Sequence, residues 1–162
     1  MNRKLVLDDF QVPELFENER VRLRMLTVND VEKDYDAVMT SIAHLQGVFG
    51  PESNWPSDEL TLEQDLVDLG WHQKKFQIRS SFAYTVMSPD ESECTGCVYI
   101  CPSPNSVYDS MVIMWVRQSE VKNRLDAYLC ETVKKWLRER WPFKNPGYPG
   151  RNIDWDEWNA LT

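Results

Sequence analysis

The chain has 162 residues and a formal net charge of −8 at pH 7, with an isoelectric point near 4.8. That length fits one domain with a sizeable core, and the acidic field repels phosphate backbones and anionic lipid surfaces, which argues against nucleic acid and membrane as partners. With 42% apolar residues, 27% charged residues and seven tryptophans, the composition is globular rather than disordered.

Asp8 and Asp9 fall where a secretory signal needs an unbroken apolar core, and no run reaches membrane-spanning length. A soluble, cytoplasmic protein is expected. Cys94, Cys97, Cys101 and Cys130 contain one CxxC pair and lack the second pair or nearby histidines of a zinc site. No metal is expected, and the cysteines read as free thiols, some buried as small hydrophobes.

Residues 1–19 read as an arm that docks through Phe10, Val12, Leu15 and Phe16. Val21, Leu23 and Met25 then alternate with Arg20, Arg22 and Arg24, which predicts a strand with its arginines on the solvated side. Thr27 and Asp30 resemble a capping box, and Val31, Tyr35, Val38, Met39 and Ile42 repeat at helical spacing, so a first helix is expected to end near Gly47. His44, near its end, suits the negative pole of the helix dipole. Val48 to Glu59 is a loop, a candidate lid, with Phe49 and Trp55 as its anchors.

Thr61 and Gln64 form a second capping box, followed by a stripe of Leu62, Leu66, Leu69, Gln73 and Phe76. His72 lies at the edge of that stripe. Its side chain titrates near neutrality and makes it the candidate general base, although a histidine packed beside Trp71 is the commoner use of such a position.

Phe82, Tyr84 and Val86 alternate as a strand, residues 88–92 supply a turn, and Cys97 to Ile100 return after Gly96. After a second turn at residues 102–105, the continuous apolar run Met111 to Val116 predicts a strand covered on both faces. A polar loop follows. It leads into an amphipathic helix carrying Leu125, Leu129, Val133, Trp136 and Leu137, and unpaired N–H groups at such a helix start suit a phosphate-bearing ligand. Residues 142–162 form a short tail rich in Pro, Gly and Trp, in which Asn152 to Trp158 reads as a short strand or a docked tail. The whole chain, residues 1–162, is taken as one domain.

This order of elements is an α/β (α+β) pattern around a mixed, mostly antiparallel central sheet flanked by helices. With Arg22-Leu23-Arg24 before Asp30, the strand Gly96 to Ile100, and Trp115-Val116-Arg117 leading to the helix that ends Val133-Lys134-Lys135-Trp136-Leu137, the chain resembles the GNAT superfamily of N-acetyltransferases from about Val21 to Trp141. The resemblance implies acetyl coenzyme A bound beside Trp115, Val116 and Arg117, and an amine acceptor, either a small molecule or a peptide. The family's phosphate loop, Q/R-x-x-G-x-G/A, falls on Glu120-Val121-Lys122-Asn123-Arg124-Leu125. There Asn123 stands in for the first glycine in a left-handed backbone, while Lys122 and Arg124 attract phosphate as side chains.

About twenty residues follow Trp141, fewer than the helix and hairpin with which the family usually closes. No catalytic tyrosine is therefore carried over; a homodimer partner completing the fold would make Trp155 and Trp158 interface anchors, and the alternative is that both pack on their own sheet. The resemblance implies an acetyl-CoA-dependent N-acetyltransferase of unknown amine substrate. The alternative is a GNAT-like module that has lost transfer and binds a small ligand or a protein.

Overall fold

The computed structural model describes residues 3–161. Six strands form one sheet in chain order: β1 (Leu15–Glu17), β2 (Arg22–Met25), β3 (Phe82–Met87), β4 (Cys94–Cys101), β5 (Ser110–Val116) and β6 (Pro146–Gly147). The first five pair antiparallel, and β6 joins β5 in parallel through Ser110↔Pro146 and Met111↔Gly147. The helices are α1 (Val31–Met39), α2 (Ile42–Leu45), α3 (Leu62–Gln77), α4 (Leu125–Arg140) and α5 (Trp155–Ala160). This is the expected mixed, mostly antiparallel sheet with helices on both faces. Among the described residues no helix is long and apolar enough to cross a membrane.

The two-residue alternation of β4 and β5 builds two cores. Val98, Ile100, Val112, Met114 and Val116 meet Leu129, Val133 and Leu137 of α4. On the opposite face Cys97, Tyr99, Ile113 and Trp115 meet Ala37 and Val38 of α1 and Leu69 of α3. Each fully buried aliphatic or aromatic side chain contributes about 1.5–3 kcal/mol over its exposed state. Gly96 is fixed by close approach: a Cβ there would stand 2.1 Å from the Trp115 carbonyl oxygen of the neighbouring strand.

Both capping boxes form. Thr27 and Asp30 close a short 3-10 turn at residues 28–30 ahead of α1, and Thr61 and Gln64 cap α3. Other expectations are corrected. The first helix stops at Met39: the Thr40 hydroxyl competes for the Asp36 carbonyl, and the Ser41 N–H bonds the Val38 carbonyl only three residues back. Ser41 then accepts the Gln118 N–H at 2.8 Å, and Ile42 belongs to the separate turn α2.

In α3 the buried positions are Asp65, Leu69 and Phe76, while Leu62 and Leu66 face outward. The N-terminal arm contains β1, whose register with β2 turns Leu15 outward and Phe16 inward. Arg22 and Arg24 are half-buried and ion-paired, Arg22 to Glu17 and Glu91, Arg24 to Asp30 and Glu91. The tail holds β6 and α5. Trp158 is 3% exposed and packs on Tyr108 at 5.2 Å between ring centroids, so it is not available as an interface anchor. Trp155 lies against Gly50 and Gly150.

Candidate functional site

Because β6 is only two residues long, the β5 edge beyond Met111 has no strand neighbour on that side among the described residues. The opening sits above the start of α4. A 3-10 turn at Gln118–Asn123 and a left-handed Arg124 (φ 56°, ψ 33°) lead into the helix, whose N-cap makes no side-chain hydrogen bond. The left-handed residue is thus Arg124 and not Asn123, whose side chain instead donates to Glu120 at 3.0 Å. Arg20 crosses to this turn from far away in sequence. It donates to the Asn123 carbonyl at 3.0 Å and lies 4.2 Å over the Tyr128 ring. Three cations, Arg20, Lys122 and Arg124, therefore surround the helix start, with Glu120 and Asp126 as the nearby acids.

The opening is bridged by Arg151, which donates to the Met114 carbonyl at 3.0 Å and holds the Asp126 carboxylate with two bonds of 2.9 Å. A cavity of about 260 Å³ lies here, walled by Met114, Asp126, Gly150, Arg151, Trp155 and Gly47.

The loop that contributes Gly47 also walls a second cavity, of about 310 Å³, between α1, α3 and β4. Phe49, Trp55 and Tyr99 form its aromatic side, Phe49 lying 5.0 Å from Trp55 and 5.1 Å from Tyr99. Trp55 lies tilted against Trp115 at 5.9 Å between ring centroids, and the Trp115 Nε1 donates to the Tyr99 hydroxyl at 3.0 Å. Asp34, Asp65, Asp68 and His72 form the polar side.

Asp34 and Asp65 are 4% and 3% exposed. Burial, together with the neighbouring acid, pushes Asp34 well above the usual carboxylate range, and burial raises Asp65 as well. Burial and mutual repulsion thus favour protonation of the pair. The Asp65 Oδ2 oxygen has no hydrogen-bond partner. Burial pushes Asp68 up and lowers His72 to about 4, so the imidazole is neutral at pH 7.

The six cofactor residues and the base expected from sequence do not converge. Lys122, Asn123 and Arg124 stand together and exposed at the start of α4. Trp115 faces the core under α1 and α3, and Val116 faces α4. Arg117 is buried, donating to the Cys94 carbonyl, Asp36 and the Thr40 hydroxyl at 3.0–3.1 Å. His72 lines the second cavity. The cysteines are free; burial pushes the Cys94 and Cys101 thiols up to about 12 and about 11. Sequence reasoning missed Arg20, Asp34, Asp65 and Arg151. The aspartates carry a signal in retrospect, because Asp65, Leu69, His72 and Phe76 recur at helical spacing and Asp34 shares a face with Val38. A larger groove, of about 600 Å³, lies between the N-terminal arm and the outer face of α4 and touches neither cavity's residues.

No protein-family model and no curated protein matches the sequence. Solved structures do match its fold. A protein of Vibrio cholerae assigned as a ribosomal-protein-serine acetyltransferase aligns over 94% of this chain and 82% of its own, with a TM-score of 0.66 at 11% identity. A protein of Bordetella pertussis assigned to the GnaT family of acetyltransferases aligns over 78% and 73%, with a TM-score of 0.57 at 12% identity. The ribosomal L7/L12 alpha-N-protein acetyltransferase RimL, solved in complex with coenzyme A, aligns over 77% and 68%, with a TM-score of 0.60 at 15% identity. The chain therefore has the fold of the GNAT acetyltransferases.

Proposed function

We propose that the protein is an N-acetyltransferase that takes its acetyl group from acetyl coenzyme A and delivers it to an amine. The observation that carries this reading is the open β5 edge directly above the uncapped start of α4 and its three cations, within the fold shared with those acetyltransferases. A helix start with free N–H groups and cationic side chains suits a pyrophosphate. The free edge of a strand suits an amide-bearing arm, which can hydrogen-bond to it as a further strand does.

The residues at the opening fit acetyl coenzyme A on that basis. Arg20, Lys122 and Arg124 would hold its phosphates, and the Met114 carbonyl would meet the pantetheine amides once Arg151 moves aside. The bound thioester would supply the acetyl group, the new N–C bond forming as the C–S bond breaks. The chain's own contributions are orientation of the amine and removal of its proton. His72, on the wall of the second cavity, is neutral at pH 7, which is the state a proton acceptor requires, although a pKa of about 4 makes it a weak one.

Release of free coenzyme A thiol, followed with a thiol reagent across a panel of small amines and peptides, tests the reading. Amine-dependent thiol release that falls at least tenfold in a Lys122→Glu, Arg124→Glu double variant supports it. Absence of release with every amine, at acetyl coenzyme A concentrations that saturate the protein, would oppose it.

A further inference from the structure

We infer that the cavity between α1, α3 and β4 is a binding site for the ammonium head of an aliphatic amine, held by the Asp34–Asp65 carboxyl pair and by the faces of Phe49, Trp55 and Tyr99. The inference deepens the acetyltransferase reading by assigning its acceptor site, but ammonium binding itself does not depend on that reading.

Three features of the cavity converge. The Asp65 carboxyl is almost fully buried, lines the cavity, and keeps one oxygen without a hydrogen-bond partner. A buried carboxylate oxygen left unpaired is unfavourable, and a cationic donor is the group that satisfies it best. Asp34 and Asp68 add acid to the same wall, and no lysine or arginine is among the described residues that line it. Aromatic faces complete the enclosure, and rings of this kind attract an ammonium or the methylene groups beside it. A phosphate or carboxylate ligand would meet like charge on this wall, from the acid pair and from Asp68, and is disfavoured.

The pair is linked to proton binding. Burial and mutual repulsion favour a proton on the Asp34–Asp65 pair, and an ammonium that enters as a counter-charge displaces it. The groups facing the pair are Asp30 before α1, Asp68 and His72 on α3, and Cys94, Cys97 and Tyr99 on β4. None is cationic at pH 7. Competition for the site therefore comes from protons, and binding weakens as pH falls.

The test is calorimetry on the full chain without acetyl coenzyme A, using n-butylammonium and the neutral n-pentanol as probes in phosphate and in Tris at pH 7. The inference expects the ammonium to bind at least tenfold more tightly than the alcohol. Its heat should differ between the buffers by the ionisation of the released proton. Asp65→Asn should weaken ammonium binding at least tenfold and abolish the buffer dependence. If Asp65→Asn does not fold, Ser53→Lys, which places a cation at the cavity wall, should abolish ammonium binding in the same way. Equal binding of ammonium and alcohol, or ammonium binding unchanged by a folded variant, overturns the inference. Ammonium binding without any acetyl transfer would leave the site assigned and count against the acetyltransferase reading alone.

Discussion

The Arg151 guanidinium donates to the Met114 carbonyl at 3.0 Å, occupying one carbonyl of the β5 edge that β6 leaves uncovered. The same side chain pairs with Asp126 in the first turn of α4, so one residue occupies both the strand edge and the approach to the helix start. On the present account Arg151 competes with the ligand. Replacing it with alanine should lower the dissociation constant for coenzyme A several-fold, measured by calorimetry. The same variant should cost about 1–2 kcal/mol in denaturant unfolding, because a half-buried charged hydrogen bond is lost. Unchanged affinity in a folded variant would mean that the ligand does not reach the Met114 edge.

The buried acid pair sets a pH dependence with a definite sign. In the unfolded chain Asp34 titrates near 3.8, whereas in the native state its carboxyl is held well above that value, chiefly by burial. The native protein keeps a proton that the unfolded chain has already released, so stability falls as pH rises from about 4 through the folded value. Asp34→Asn removes this loss. Urea unfolding should find the variant more stable than wild type at pH 7, with a flatter profile above pH 4.

His72 acts in the opposite direction. Its pKa is lowered by burial to about 4 from 6.5, so the unfolded chain takes up a proton that the native state refuses. The stability this represents is complete above about pH 6.5 and is lost as pH falls towards 4. The imidazole resonances should titrate with a midpoint near 4 by NMR, and His72→Gln should flatten the stability profile between those pH values. A midpoint near 6.5 would place His72 in solvent and remove it from the cavity wall.

Arg117 is the buried clamp between the end of β5, the start of β4 and α1, through the Cys94 carbonyl, Asp36 and Thr40. Truncation leaves the Cys94 carbonyl and Thr40 without that donor. Arg117→Ala should destabilise by about 3 kcal/mol in thermal or urea unfolding, and Arg117→Lys, which cannot reproduce the forked geometry, should recover only part of it.

Much of the fold was legible because its determinants are local. Thr27 with Asp30, Thr61 with Gln64, and the run Met111 to Val116 each announce an element within a few residues, and each is observed. The two-residue β6 and six-residue α5 are too short to leave a periodic pattern. The candidate site was less legible. Arg20 meets Asn123 across 103 positions and Arg151 meets Met114 across 37, and no spacing rule reaches so far. Asp34 and Asp65 are hidden from such a rule, because an amphipathic stripe is found by counting apolar residues, and here the buried face carries carboxyl groups.

The central claim is that acetyl coenzyme A binds at the open β5 edge and the start of α4. A thermal unfolding titration with acetyl coenzyme A measures this most directly, since a ligand bound only by the native state must raise the transition. At a hundredfold excess over the dissociation constant the gain is about 2.7 kcal/mol, or about 5–10 °C for a chain of this size. The account predicts that rise for the wild type and its near loss in a Lys122→Glu, Arg124→Glu double variant. No rise at millimolar acetyl coenzyme A, or an equal rise in the double variant, would contradict it.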